Sequence, residues 1–236
     1  MMTRKRNALI PLAAVAAGAL AVTAVGQVNV PMPVRNTVKV SSNVAGTPGH
    51  PRGVKVEVRA VAATDASFPM PRAVDAWLPA GWRYNGAKHP ACTAAQLERG
   101  GPAACPEGSV MGRAPSGGLT AEGHPPPRVT VVNGGRSTVY FSVVLSSPAR
   151  VRATVTGTLT RLRSTSFSYR LHAEVPEALR TVAGVPVTLE RFVLEAGRGD
   201  WLATTGCPSD HRWRFRLATT DATGQKAESD VVTVCR

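Results

Sequence analysis

Four cysteines are the residues whose types and spacing most invite chemistry: Cys92, Cys105, Cys207 and Cys235. Thiols can hold a metal, shuttle electrons or form staples. Zinc sites favour closely spaced Cys pairs, and this chain has no Cys-x-x-Cys. His89 and His124 could join a metal site, but nothing in the sequence fixes their distance from the thiols. No metal and no cofactor are therefore expected. Serine and carboxylate chemistry fares no better. Gly-x-Ser-x-Gly is absent, and Ser109 within "EGSVMG" has the wrong surroundings for a nucleophile elbow. Ser209-Asp210-His211 holds triad residue types in a row, but chain neighbours cannot meet in triad geometry, so a polar turn is expected. Glu174, Glu177, Glu190 and Glu195 could contain a glycosidase pair, which only their separation would reveal. No calcium loop, P-loop or dinucleotide fingerprint occurs. No catalytic residue is assigned, and an enzyme is the less favoured reading.

The segments flanking the cysteines favour staples. In "HPACTAAQLERGGPAACPEGS", Thr93 and Gln96 have the spacing of a capping box. Leu97 would face the core, and Gly100-Gly101-Pro102 would end the helix after about one and a half turns. That excursion returns Cys105 towards Cys92. Cys207 precedes the alternating run around Trp213. Cys235 ends the run that follows Asp221-Ala222-Thr223-Gly224, read here as a hairpin turn. Of three possible connectivities, Cys92–Cys105 and Cys207–Cys235 are the local ones and are expected.

A disulfide framework implies an oxidising compartment, and the N-terminus agrees. "MMTRKR" is a basic head, "ALIPLAAVAAGALAVTAV" an apolar run, and Ala24-Val25-Gly26 supplies small residues before Gln27, the three-part form of a secretory signal peptide. The chain is thus divided into a signal peptide, 1–26, a flexible lead-in, 27–36, and one folded domain, 37–236. An uncleaved membrane anchor is the alternative for the apolar run; after cleavage no stable membrane span is expected. The protein would be secreted or associated with the cell wall.

Removing residues 1–26 takes away Arg4, Lys5 and Arg6, leaving 25 basic and 15 acidic residues. A basic exported protein is drawn to anionic polymers or surfaces. Nucleic acid is not an expected partner, because export removes the usual target and no base-reading motif appears.

The elements that must position these residues are strands. "GVKVEVRA", "VRATVTGTLT", "SFSYRLH" and "HRWRFRL" alternate apolar and polar residues with period two. Further candidates are Val38–Val44, Val74–Leu78, Val129–Val132, Val139–Leu145 and Val187–Glu195. The last changes phase near Arg191, which suggests a bulge. "EGHPPPR", 122–128, reads as an extended connector within one domain. About ten short strands argue for an all-β fold, an antiparallel two-sheet sandwich with one short disulfide-framed helix. His172 falls on an outward phase. Trp213 falls on an inward one, and burial is the commoner fate of Trp77 and Trp82 as well. Arg212, Arg214 and Arg216 share the outer face of one strand. They are the candidate binding residues, able to take carboxylates or phosphates with two-pronged hydrogen bonds. The plain alternative is a charged row that keeps a sheet from pairing with others.

Residues 74–114 also carry Leu78-Pro79-Ala80-Gly81, Cys92, Cys105-Pro106 and Ser109-Val110-Met111-Gly112. This pattern resembles a group of uncharacterised exported proteins of actinobacteria, in which Leu-Pro-x-Gly is followed by a cysteine, a small helix, Cys-Pro and a Ser-x-x-Gly strand entry. "TTGCPSDHRWRFRL" and "VTVCR" are similar to their closing hairpin. The resemblance implies lineage and export and no activity. The sequence therefore points to an exported, non-catalytic structural or binding module of the cell envelope, with an extracellular hydrolase of polysaccharide or ester as the competing class.

Overall fold

The computed structural model describes residues 34–63, 67–114, 127–147 and 149–236. The signal peptide and the region 115–126, with most of the proposed connector, lie outside the described residues. Eleven strands form the main sheet: β1 (Val34–Val40), β2 (Val56–Ala62), β3 (Ala73–Pro79), β4 (Val110–Arg113), β5 (Arg128–Asn133), β6 (Thr138–Leu145), β7 (Val151–Arg161), β8 (Phe167–Glu174), β9 (Arg191–Ala196), β10 (Arg212–Thr220) and β11 (Lys226–Val234). Their spatial order is β1-β2-β9-β4-β5-β6-β7-β8-β3-β10-β11, and every neighbouring pair is antiparallel.

The fold is all-β, but the sheet curls into a nearly closed barrel, and a clear division into two sheets is not what forms. Its end strands β1 and β11 pack side by side without a ladder. Because eleven antiparallel strands alternate in direction, these two run parallel. Asn36 Nδ2 donates to Ser229 Oγ across the seam at 2.8 Å. Beyond the strands, Arg236 N donates to Asn43 O at 2.6 Å and Ala45 N to Arg236 O at 2.7 Å. Alternating strands supply one apolar face whether they form a sandwich or a barrel. Curling the sheet on itself leaves a single seam in place of several exposed edges.

The inward rows fill the interior. Val38, Val56, Met111, Val131, Val139, Leu159, Trp213, Phe215 and Leu217 are buried in one cluster. Val129, Val143, Leu145, Val155 and Ala173 join a second. Gly157 sits on an inward position of β7, where an added Cβ would lie 2.8 Å from Leu171 Cδ1 and 3.1 Å from Phe141 Cε2. The larger neighbours take the space that glycine leaves.

The ends of the barrel are covered by short elements. A three-stranded sheet of Arg52–Gly53, Leu202–Thr204 and Trp82–Tyr84 carries Trp82, Tyr84 and Leu202 into the first cluster. Trp82 meets Trp213 and Phe215 edge-on at centroid distances of 5.5 and 5.2 Å. The second cluster is covered by a helical turn, Glu177–Arg180, which the sequence reading lacked, together with the segment that follows it, through Leu179, Val182 and Val187.

Three local expectations need correction. The strand β1 starts at Val34, inside the expected lead-in, because Val34, Asn36, Val38 and Val40 keep an inward phase. The run Val187–Glu195 is not one bulged strand. Thr188–Leu189 pairs with Phe68–Pro69, whereas Arg191–Ala196 pairs with β2, so the phase changes where the chain passes between sheets. The strand expected at Val38–Val44 ends at Val40.

The cysteine segment folds as its residues dictate. The helix Ala94–Gly100 has a complete capping box. Gln96 N donates to Thr93 Oγ1 at 3.2 Å, and Thr93 N donates to Gln96 Oε1 at 2.9 Å. Leu97 is fully buried with Cys92 and Val132. Gly101 ends the helix at φ +67°, in the left-handed region that glycine tolerates. Both disulfides are the local pairs, with Cα–Cα distances of 5.1 Å for Cys92–Cys105 and 5.7 Å for Cys207–Cys235. Two disulfides belong to an oxidising environment. No helix among the described residues is long and apolar enough to cross a membrane.

Candidate functional site

The alternation of β10 puts Trp213, Phe215 and Leu217 into the core and leaves Arg212, Arg214 and Arg216 on the outer wall. The row is not uniformly free. Arg216 grips Asp230 of the neighbouring β11 with two hydrogen bonds, Nε to Oδ1 at 2.8 Å and Nη2 to Oδ2 at 3.1 Å. These bonds hold the Asp230 carboxyl below its ordinary value against the opposing effect of partial burial. Arg214 pairs with Asp210 at the mouth of the strand. Arg212 alone of the three has no carboxylate partner among the described residues.

The row continues across the wall. Arg216 stands opposite Trp77 of β3, and Trp77 stands opposite Arg170 of β8. The guanidinium carbons of Arg216 and Arg170 lie 5.5 Å from the centroid of Phe167 and 5.4 Å from that of Trp77, respectively, which is cation–π distance. Trp77 is thus half-buried in the wall beneath an arginine, whereas Trp82 and Trp213 are buried in the core as expected. Sequence reasoning grouped Trp77 with Trp82. Their five-residue spacing hides a turn at Gly81, φ +80°, that sends the two rings to different faces.

Beside this row lies a group the sequence reading missed. Asp75 is buried, with 6% exposure, although it sits on an outer-face position. Arg170 Nε donates to its Oδ1 at 2.8 Å, and His172 Nδ1 lies 2.9 Å from the same oxygen. Burial pushes the Asp75 carboxyl up, but the hydrogen bonds and charges of Arg170 and His172 outweigh it and hold the carboxyl below its ordinary value. A carboxylate that orients a histidine through Nδ1 is the positioning half of a hydrolytic triad. Here His172 Nε2 faces Glu174 Oε1 at 4.0 Å, and Thr158 of β7 stands opposite His172 in register. The only sequence signal for Asp75 is an acid inside an apolar run, which reads equally well as a solvated position.

The other candidate residues take structural places. Asp210 Oδ1 accepts from Arg212 N at 3.2 Å, and His211 N donates to Pro208 O at 2.9 Å, so Ser209-Asp210-His211 shapes a turn. Glu177 pairs with Arg180, and Glu195 with Lys55 at 3.4 Å. Glu174 is largely exposed at the end of β8, and Glu190 lies between two short strands. His89 Nε2 meets Asp200 Oδ1 at 2.9 Å; His124 lies outside the described residues. Among the described residues no group of three or more His, Cys, Asp or Glu could hold a metal ion.

A second polar group, also missed, is built inside. Asn133 is fully buried at the end of β5. Its Oδ1 accepts from Trp201 Nε1 at 3.1 Å and Gly135 N at 3.2 Å, and the Tyr84 hydroxyl lies 3.0 Å away. Its Nδ2 faces the carbonyls of Gly86, His89 and Pro90 at 2.9 to 3.1 Å. One amide thereby ties the chain entering the Cys92 staple to the barrel. Burial pushes the Tyr84 hydroxyl well above its ordinary value, so it stays protonated within this network.

No protein-family model, curated protein or solved structure matches this chain.

Proposed function

We propose that the protein is an exported, non-catalytic module of the cell envelope that binds anionic polymers. The supporting observation is the division of β10, with Trp213, Phe215 and Leu217 buried and Arg212, Arg214 and Arg216 turned to the outer wall. The fold beneath needs none of those charges for its core. Asp210 and Asp230 hold two of the guanidiniums in fixed orientations while each leaves part of its fork exposed. The excess of basic residues that remains once residues 1–26 are removed, 25 against 15 acidic, adds attraction at longer range. Disulfide staples suit a protein that works outside the cell. The test is retention on isolated cell-wall fractions over a salt series: retention at low salt that falls steeply with added salt supports the reading, and no retention at low salt contradicts it.

The Asp75–His172 pair favours one second reading, an extracellular hydrolase of a polysaccharide or ester. Turnover of such a substrate by the native protein, lost in His172→Ala, would establish it. Equal turnover by the variant would remove it.

A further inference from the structure

We infer that the corner between β7 and β8 is a binding site for phosphate groups of a polyanionic polymer. The inference rests on the anionic-polymer reading above and assigns it a site separate from the β10 row. The corner turns through Arg161, Leu162, Arg163, Ser164 and Thr165, which line an open depression at the surface. A second hollow of about 300 Å³ shares Arg161, Leu162 and Ser164 with it and reaches Gly81, Trp82 and Arg83. The two adjoin at the surface through these shared residues. Arg83, Arg161 and Arg163 are exposed around them, no carboxylate lines either part, and among the described residues none of the three has an ion-pair partner. The β10 row differs in this respect, since Asp210 and Asp230 already occupy Arg214 and Arg216.

A hydroxyl also suits an oxyanion. Ser164 Oγ accepts from Ser166 N at 3.1 Å and from Phe167 N at 3.4 Å, so its oxygen is used by the turn and its proton is free to donate outwards. Trp82 backs the smaller hollow at 3% exposure, with its ring turned into the core. The floor is rigid. Trp82 is wedged between Trp213 and Phe215, and Gly81 O accepts from Thr205 N at 2.7 Å. Three guanidiniums and a hydroxyl spread over two adjoining hollows match a multiply charged oxyanion chain better than a single carboxylate.

The experiment titrates the full-length protein with inorganic polyphosphate, polyglutamate and inorganic phosphate at about 0.15 M salt, where unspecific attraction is screened within about 8 Å. Two variants are compared, Arg83→Gln/Arg161→Gln/Arg163→Gln and Arg212→Gln/Arg214→Gln/Arg216→Gln. They change net charge equally, and melting curves confirm that both are folded. The inference expects polyphosphate to bind more tightly than polyglutamate, and the corner variant to lose about ten-fold more affinity than the row variant. Equal losses in both variants, or no preference for polyphosphate, would overturn it. Binding of inorganic phosphate as tight as that of polyphosphate would overturn the polymer assignment. Failure to bind polyphosphate by a protein that cell walls do retain would sink the corner site alone; failure of both would sink the envelope reading with it.

Discussion

Asp75 Oδ1 receives Arg170 Nε and faces His172 Nδ1 at 2.8 and 2.9 Å, so one buried carboxylate holds two partly exposed side chains on the neighbouring strand. Its carboxyl titrates below the ordinary value of 3.8 when folded. A depressed folded value means that the unfolded chain binds the proton first as pH falls. The stabilisation is fully present above the unfolded value and is lost as pH drops through the folded one. Asp75→Asn should cost about 1.5–3 kcal/mol at neutral pH, the range for hydrogen bonds to charged groups. It should also flatten the stability loss below pH ~4. Urea unfolding at several pH values checks both; an unchanged acid limb would show that Asp75 contributes nothing there.

Asn133 has acceptor and donor sides that are both fully used. Asn133→Asp places an oxygen against the carbonyls of Gly86, His89 and Pro90. The exchange should destabilise by at least ~3 kcal/mol, because a buried group loses its partners and gains repulsion. Hydrogen exchange should localise the loosening to residues 84–92. Uniform loosening of the barrel would contradict this placement.

Cys207–Cys235 ties the start of β10 to the end of β11. Cys207→Ala with Cys235→Ala should cost about 2–5 kcal/mol. The loss should appear first at the seam, where Arg236 and Asn43 are joined by a backbone bond. Peptide mapping of the unreduced protein should recover Cys92 with Cys105 and Cys207 with Cys235, and crossed links would refute the topology.

Replacing Arg212, Arg214 and Arg216 by glutamine leaves Trp213, Phe215 and Leu217 untouched. The melting temperature should move by only a few degrees, as expected for exposed pairs worth about 0–1 kcal/mol each. Retention on cell walls at low salt should fall. Intact folding with unchanged retention would reduce the row to a solvated face.

Most strands of the main sheet, the helix with its capping box and both disulfides were legible because each depends on local pattern: period two, Thr93 with Gln96, and cysteines joined within one helix or one hairpin. The closure of the sheet was not. Alternation marks an inner face, but pairing order is set by distant partners, as when β3 inserts between β8 and β10. The charge row of β10 was legible from phase alone. The pairing of Arg214 and Arg216 was not, because Asp230 and Asp210 meet them through register and a turn. Asp75 and Asn133 stayed hidden for a related reason: their partners come from strands and loops far along the chain, and a lone polar residue in a strand carries no mark of burial.

Binding to the envelope is read most directly from retention of the protein on isolated cell-wall polymer from about 0.02 to 0.5 M salt, a range in which electrostatic screening shortens from roughly 20 Å to roughly 4 Å. Electrostatic binding to an anionic polymer predicts strong retention at the low end, steep loss as salt rises, and recovery of folded protein in the eluate. Retention that is absent at low salt, or indifferent to salt, would contradict it.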